Sequence, residues 1–156
     1  MGPLVRAKFR CLSITQKYDG LWLAELRPVQ QKGVNSEENK KFWEYSPNGE
    51  CNLTYYAKHA LEIGAYYYID MEQVEHPQPN GEHWTLNSIS RNESGGGEVY
   101  LSWYKAYDYQ KPKPEGMLSG SLKIGMEAKA QGALAALSTP GSKWNVKFNF
   151  AEASDT

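Results

Sequence analysis

A chain of 156 residues is long enough for one ordinary domain or two very small ones. With 40% apolar and 22% charged residues it has the balance of a folded protein, which excludes an intrinsically disordered chain. The formal net charge of −1, spread almost evenly over two halves divided after Gln78, argues against a protein held to nucleic acid mainly by phosphate contacts, because each contact needs a Lys or Arg.

The first segment alternates, with Val5, Ala7, Phe9 and Cys11 on one face and Arg6, Lys8 and Arg10 on the other, which predicts a strand buried on one side. After Cys11 the phase slips to Leu12 and Ile14, the mark of a bulge or a strand end. Tyr18-Asp19-Gly20 then supplies hairpin-turn chemistry before the apolar run Leu21 to Leu26. From Gln30 to Glu44 the chain is polar; Ser36-Glu37-Glu38-Asn39 has the composition of a helix start, and a short helix and an ordered loop are equally compatible with it. Phe42-Trp43 is able to pack this stretch down.

Ser46-Pro47-Asn48-Gly49 is a turn, followed by alternating Cys51, Leu53 and Tyr55. Ala60, Leu61 and Ile63 recur at near-helical spacing before Gly64, and Tyr67, Ile69 and Met71 share the face of a further strand. His76-Pro77-Gln78-Pro79-Asn80-Gly81 has linker composition. Beyond it the same order of elements returns, as in an internal repeat. Phe9, Cys11, Ser13 and Ile14 match Trp84, Leu86, Ser88 and Ile89, while Leu23, Leu26, Arg27 and Val29 match Leu101, Tyr104, Lys105 and Tyr107. Cys51, Leu53 and Tyr55 correspond to Leu122, Ile124 and Met126, and Tyr67, Ile69 and Met71 to Trp144, Val146 and Phe148. Glu127 to Leu137 is Ala-rich and helix-compatible.

The expected fold is therefore all-β or mostly β: two tandem small barrel-like or sandwich-like units, residues 1–75 and 83–152, with short helical insertions and a linker at 76–82. Whether they form two barrels or one fused sandwich stays open at this point. Cys11 and Cys51 both read as inward-facing and are expected as two buried thiols.

Chemistry-bearing patterns are sparse. His59, His76 and His83 lie far apart in sequence and the cysteines form no close pair, so no metal site and no cofactor are expected. Nucleophile elbows, phosphate loops and dinucleotide fingerprints are missing, and Gly95-Gly96-Gly97 falls where a hairpin loop belongs, so an enzyme is not expected. There is no signal-peptide pattern and no apolar run of membrane-spanning length. Two features could hold a ligand: the basic row Arg6, Lys8 and Arg10, and the aromatics Trp43, Tyr45, Tyr56, Tyr66 and Tyr68, a combination that suits phosphates and stacked bases. Sheet-face aromatics suit protein contact equally well.

The stretches Val5-Arg6-Ala7-Lys8-Phe9-Arg10-Cys11, Glu38-Asn39-Lys40-Lys41-Phe42-Trp43, Ser46-Pro47-Asn48-Gly49-Glu50 and Gly64-Ala65-Tyr66-Tyr67-Tyr68-Ile69-Asp70 resemble a group of small proteins encoded by tailed bacteriophages. The resemblance covers the first half, so that the chain reads as a two-copy version of a usually single-copy protein. It implies a viral origin and a place in the virion or in the cytoplasm of an infected bacterium; it carries no catalytic residues. The leading expectation is a phage structural accessory protein of the capsid-decoration type, whose partners are the major capsid or other virion proteins and further copies of itself. The alternative is a module for single-stranded nucleic acid or nucleotides, including a sponge for a host defence signal.

Overall fold

A computed structural model describes residues 4–31, 34–44, 47–77 and 82–152. The alternating sequence becomes strands β1 (Leu4–Gln16), β2 (Leu21–Pro28), β3 (Gln30–Gln31), β4 (Val34–Asn35), β5 (Gly49–Tyr56), β6 (Tyr66–Gln73), β7 (Trp84–Arg91), β8 (Gly97–Tyr104), β9 (Gly116–Met126) and β10 (Lys143–Ala151). A 3-10 turn at Asn39–Lys41 answers the open question in the polar stretch, and the Ala-rich segment gives a second 3-10 turn leading into α1 (Gln131–Ala136). No helix forms between Ala57 and Gly64; Ala57 has a φ of 69° and Gly64 of 87°, and the segment is an irregular connection.

Eight strands close into one antiparallel barrel in the order β1-β2-β5-β9-β8-β7-β10-β6, while β3 and β4 form a separate small ribbon. The mostly-β expectation holds, and the question left open by the sequence, two barrels or one fused body, is answered by a single closed barrel to which each half contributes four strands. The first half contributes β6-β1-β2-β5 and the second β10-β7-β8-β9, each the fourth-first-second-third order of a Greek key. The halves join where β5 meets β9 and where β6 meets β10, over eight residue pairs at each seam. The physical reason is twofold: a half of this size buries too little apolar surface alone, and its outer strands would be left as open edges.

Positions matched between the halves in sequence hold matching places in the sheet. Both first strands bulge at the same step, between Cys11 and Ser13 in β1 and between Leu86 and Ser88 in β7. Phe9 pairs with Tyr67, and their sequence counterparts Trp84 and Trp144 pair with each other. The match of β2 to β8 is displaced by three residues: Cys11 pairs with Leu26 and Leu86 with Leu101, so the counterpart of Leu26 is Leu101 and not Tyr104, and Leu23, Arg27 and Val29 shift with it.

The barrel is filled rather than hollow, as eight strands allow. Phe9, Leu26, Leu53, Leu101, Leu122 and Ile124 are fully buried inside it. The Trp84 indole reaches across to β9, where a Cβ on Gly120 would lie 2.4 Å from the ring; only glycine leaves room for it. Because every neighbouring pair is antiparallel, the connections 17–20, 57–65 and 105–115 and the end of β10 share one end of the barrel. The connections 29–48, 92–96 and 127–142 share the other.

Candidate functional site

Period-two alternation sends Arg6, Lys8 and Arg10 outward from β1, and the β1–β6 register sets Asp70, Tyr68 and Tyr66 directly opposite them. Five of the eight sequence-selected residues, Arg6, Lys8, Arg10, Tyr66 and Tyr68, thus come together on one wall. The Arg6 guanidinium carbon lies 4.4 Å from the centre of the Tyr68 ring, Lys8 Nζ 5.5 Å from that of Tyr66 and 5.8 Å from that of Tyr68, and the Arg10 guanidinium carbon 5.4 Å from that of Tyr66. At such distances each cation is attracted to the ring quadrupole.

The cations are committed within the fold to different degrees. Arg6 Nε and Nη2 donate to the two carboxylate oxygens of Asp70 at 2.6 and 2.9 Å, and Asn149 Nδ2 donates to the same carboxylate at 3.0 Å. That bidentate bond to Asp70 raises the Arg6 pKa above its ordinary value. Lys8 is 0% exposed. β2 begins to pair with β1 only at Phe9, and at Lys8 the Asn39 side chain takes its place: Lys8 N donates to Asn39 Oδ1 and Asn39 Nδ2 donates to Lys8 O, both at 2.8 Å. Arg10 stays exposed, with Nε donating to Gly64 O at 3.2 Å. Ring faces that could stack bases are therefore stacked on cations, and this wall ties β1 to β6.

Trp43 does not belong to this surface. It is 1% exposed, its Nε1 donates to Gly125 O, its carbonyl accepts from Asn35 Nδ2 at 2.9 Å, and its ring meets Phe42 edge-on. Together with Leu134 and Leu137 it belongs to the continuous buried core. An indole is a large apolar side chain that gains more from burial than from display. Tyr45 lies outside the described residues. Tyr56 is half-buried at the end of β5, two strands from β1, with Lys113 Nζ 5.4 Å from its ring centre.

Cys11 and Cys51 are buried and unbridged, as read from the sequence. Leu26 pairs with both, so they sit two strands apart, about 10 Å at normal strand spacing and beyond disulfide reach. Burial pushes both thiols above their ordinary pKa.

Residues that sequence reasoning did not select gather at the end carrying 17–20, 57–65 and 105–115. Among the described residues, Leu12, Tyr18, Ile63, Tyr104, Tyr109 and Phe150 are large, apolar and exposed, and all lie at or toward this end; Leu4 is the one such side chain at the opposite end. A cleft of 470 Å³ opens beside them between Tyr55, Leu61, Tyr67, Met117, Phe148 and Phe150. At the opposite end a larger groove of 660 Å³ runs between the start of β1, the 3-10 turn and α1. Single exposed apolar side chains carry no pattern along the chain, so only closure of the barrel shows that these six share one end. Comparison with protein-family models, curated proteins and solved structures finds no match for this chain.

Proposed function

We propose that this protein is a non-catalytic β-barrel module that binds other proteins, in the role of an accessory subunit of a phage particle. The observation that carries the reading is the segregation of exposed apolar side chains, with Tyr18 fully exposed and Tyr109 89% and Phe150 69% exposed at one end of the barrel. Grouped exposed aromatics with phenolic tips supply rigid contact area and a polar handle at protein interfaces. Internal duplication of one four-stranded unit is part of the same proposal. Its support is the shared strand order, the shared bulge step and the matched pairs Phe9–Tyr67 and Trp84–Trp144.

The test is co-sedimentation of the purified full chain with particles of the phage that encodes it. Binding is expected, and Tyr109→Ser and Phe150→Ser are expected to weaken it at least about tenfold while leaving the melting temperature within a few degrees. A protein that stays in the supernatant at micromolar concentration would sink the reading. The second reading, a nucleotide-binding module, is favoured by a different observation, the groove beside α1.

A further inference from the structure

We propose that the groove between the start of β1, the 3-10 turn at Asn39–Lys41 and α1 binds a small nucleoside phosphate. This deepens the nucleotide-binding reading and is independent of the exposed apolar end. The groove measures 660 Å³, within the range of small-molecule sites. Apolar side chains, Leu4, Val5, Phe42, Ala130, Ala133 and Ala136, make up much of its walls, which suits the faces of a base.

Charge selects the other end of the ligand. Arg6, Lys41 and Lys129 line the groove against the one acid Glu38, a local positive excess in a chain of net charge −1. Arg6 is held by Asp70, but Lys41 and Lys129 are exposed and form no ion pair among the described residues, whereas the neighbouring Lys40 is bound to Glu37 at 2.9 Å. Two uncommitted ammonium groups at the mouth of an apolar groove fit a phosphate. Glu38 adds a hydrogen-bonding demand: its Oε1 is buried and accepts no hydrogen bond. The terminal torsion of a glutamate is broad, so this carboxylate can turn to accept from the amine or imide edge of a base.

Gly132 points the same way. It lines the groove, and a Cβ added there meets no atom within 4 Å. Packing within the chain therefore does not require glycine at this helical position, where most residues would favour the helix more. The open space in front of it belongs to the groove.

The experiment is calorimetric titration of the full chain with AMP, CMP, GMP and UMP, with inorganic phosphate and dodecanoate as comparison ligands. At least one nucleotide is expected to bind about tenfold or more tightly than inorganic phosphate. Gly132→Trp, which fills the groove, and Lys129→Glu, which reverses an exposed charge, are each expected to weaken that binding at least about tenfold. Lys129→Glu keeps the test decisive if the bulky variant fails to fold. The proposal is overturned if no nucleotide binds at millimolar concentration, if binding survives Lys129→Glu unchanged, or if dodecanoate binds and the nucleotides do not. Co-sedimentation with particles is expected to be unaffected by either variant, so the two proposals fail separately.

Discussion

Arg6, Lys8 and Arg10 look alike in sequence and end in three different states: one in a bidentate ion pair, one buried, one exposed. Alternation fixes which face a side chain leaves from, but what waits there is set by β6 and by the 29–48 connection. The buried acids of the core behave more uniformly. Burial pushes the thiols of Cys11 and Cys51 and the phenols of Tyr55 and Tyr67 upward, with Tyr55 raised from 10.0 to about 12. For an acid whose neutral form is favoured in the fold, the unfolded state loses its proton first, so stability is fully present below the unfolded pKa and falls as pH rises above it. The thiols begin this loss near 9.0 and the phenols near 10.0. Urea midpoints should therefore be flat between about pH 7 and 8 and decline above about pH 9; Cys51→Ala should start from a lower stability and decline less steeply over the first unit.

At the scale of elements, the 29–48 connection does work normally done by a strand. Asn39 satisfies both backbone groups of Lys8 where β2 has ended, and Trp43, four residues on, is held at Gly125 by its indole N–H. A polar, helix-starting segment is thereby turned into part of the barrel wall. Asn39→Ala removes two buried hydrogen bonds and leaves a buried N–H and C=O without those partners, which is expected to cost about 2–3 kcal/mol. A change in denaturation midpoint at constant slope would report it; a variant as stable as the parent would show that the connection merely covers β1. The conservative Asn39→Asp keeps the acceptor for Lys8 N and loses the donor to Lys8 O, and should fall between the two.

For the whole molecule, the decisive feature is that the halves share a barrel. Eight residue pairs at β5–β9 and eight at β6–β10 bind them, and Trp84 of the second half and Leu53 of the first both crowd the space over Gly120 inside the barrel. Such a structure has one core and is expected to unfold in one transition, with coincident curves from tryptophan fluorescence and far-ultraviolet circular dichroism. Two separable units would give two transitions or non-coincident curves. Cutting the backbone at 77–82 should leave both pieces associated through the two seams, eluting together on size exclusion and separating only on denaturation.

The sequence by itself determined the strand content, the inward faces, the β1 bulge, the hairpin turn before β2, the Ala-rich helix and the two buried thiols. Each of these follows from local periodicity or turn chemistry, which acts over a few residues. The near-helical spacing before Gly64 misled because three apolar residues are too few to nucleate a helix against a left-handed Ala57. Only the tertiary structure decided that the two halves form one barrel, that Trp43 is buried while Tyr109 is exposed, and that Lys8 is covered while Arg10 is not. Those outcomes depend on which strands pair across the chain and which connection covers which wall, contacts between residues far apart in sequence whose net stabilisation exists only once the barrel has closed.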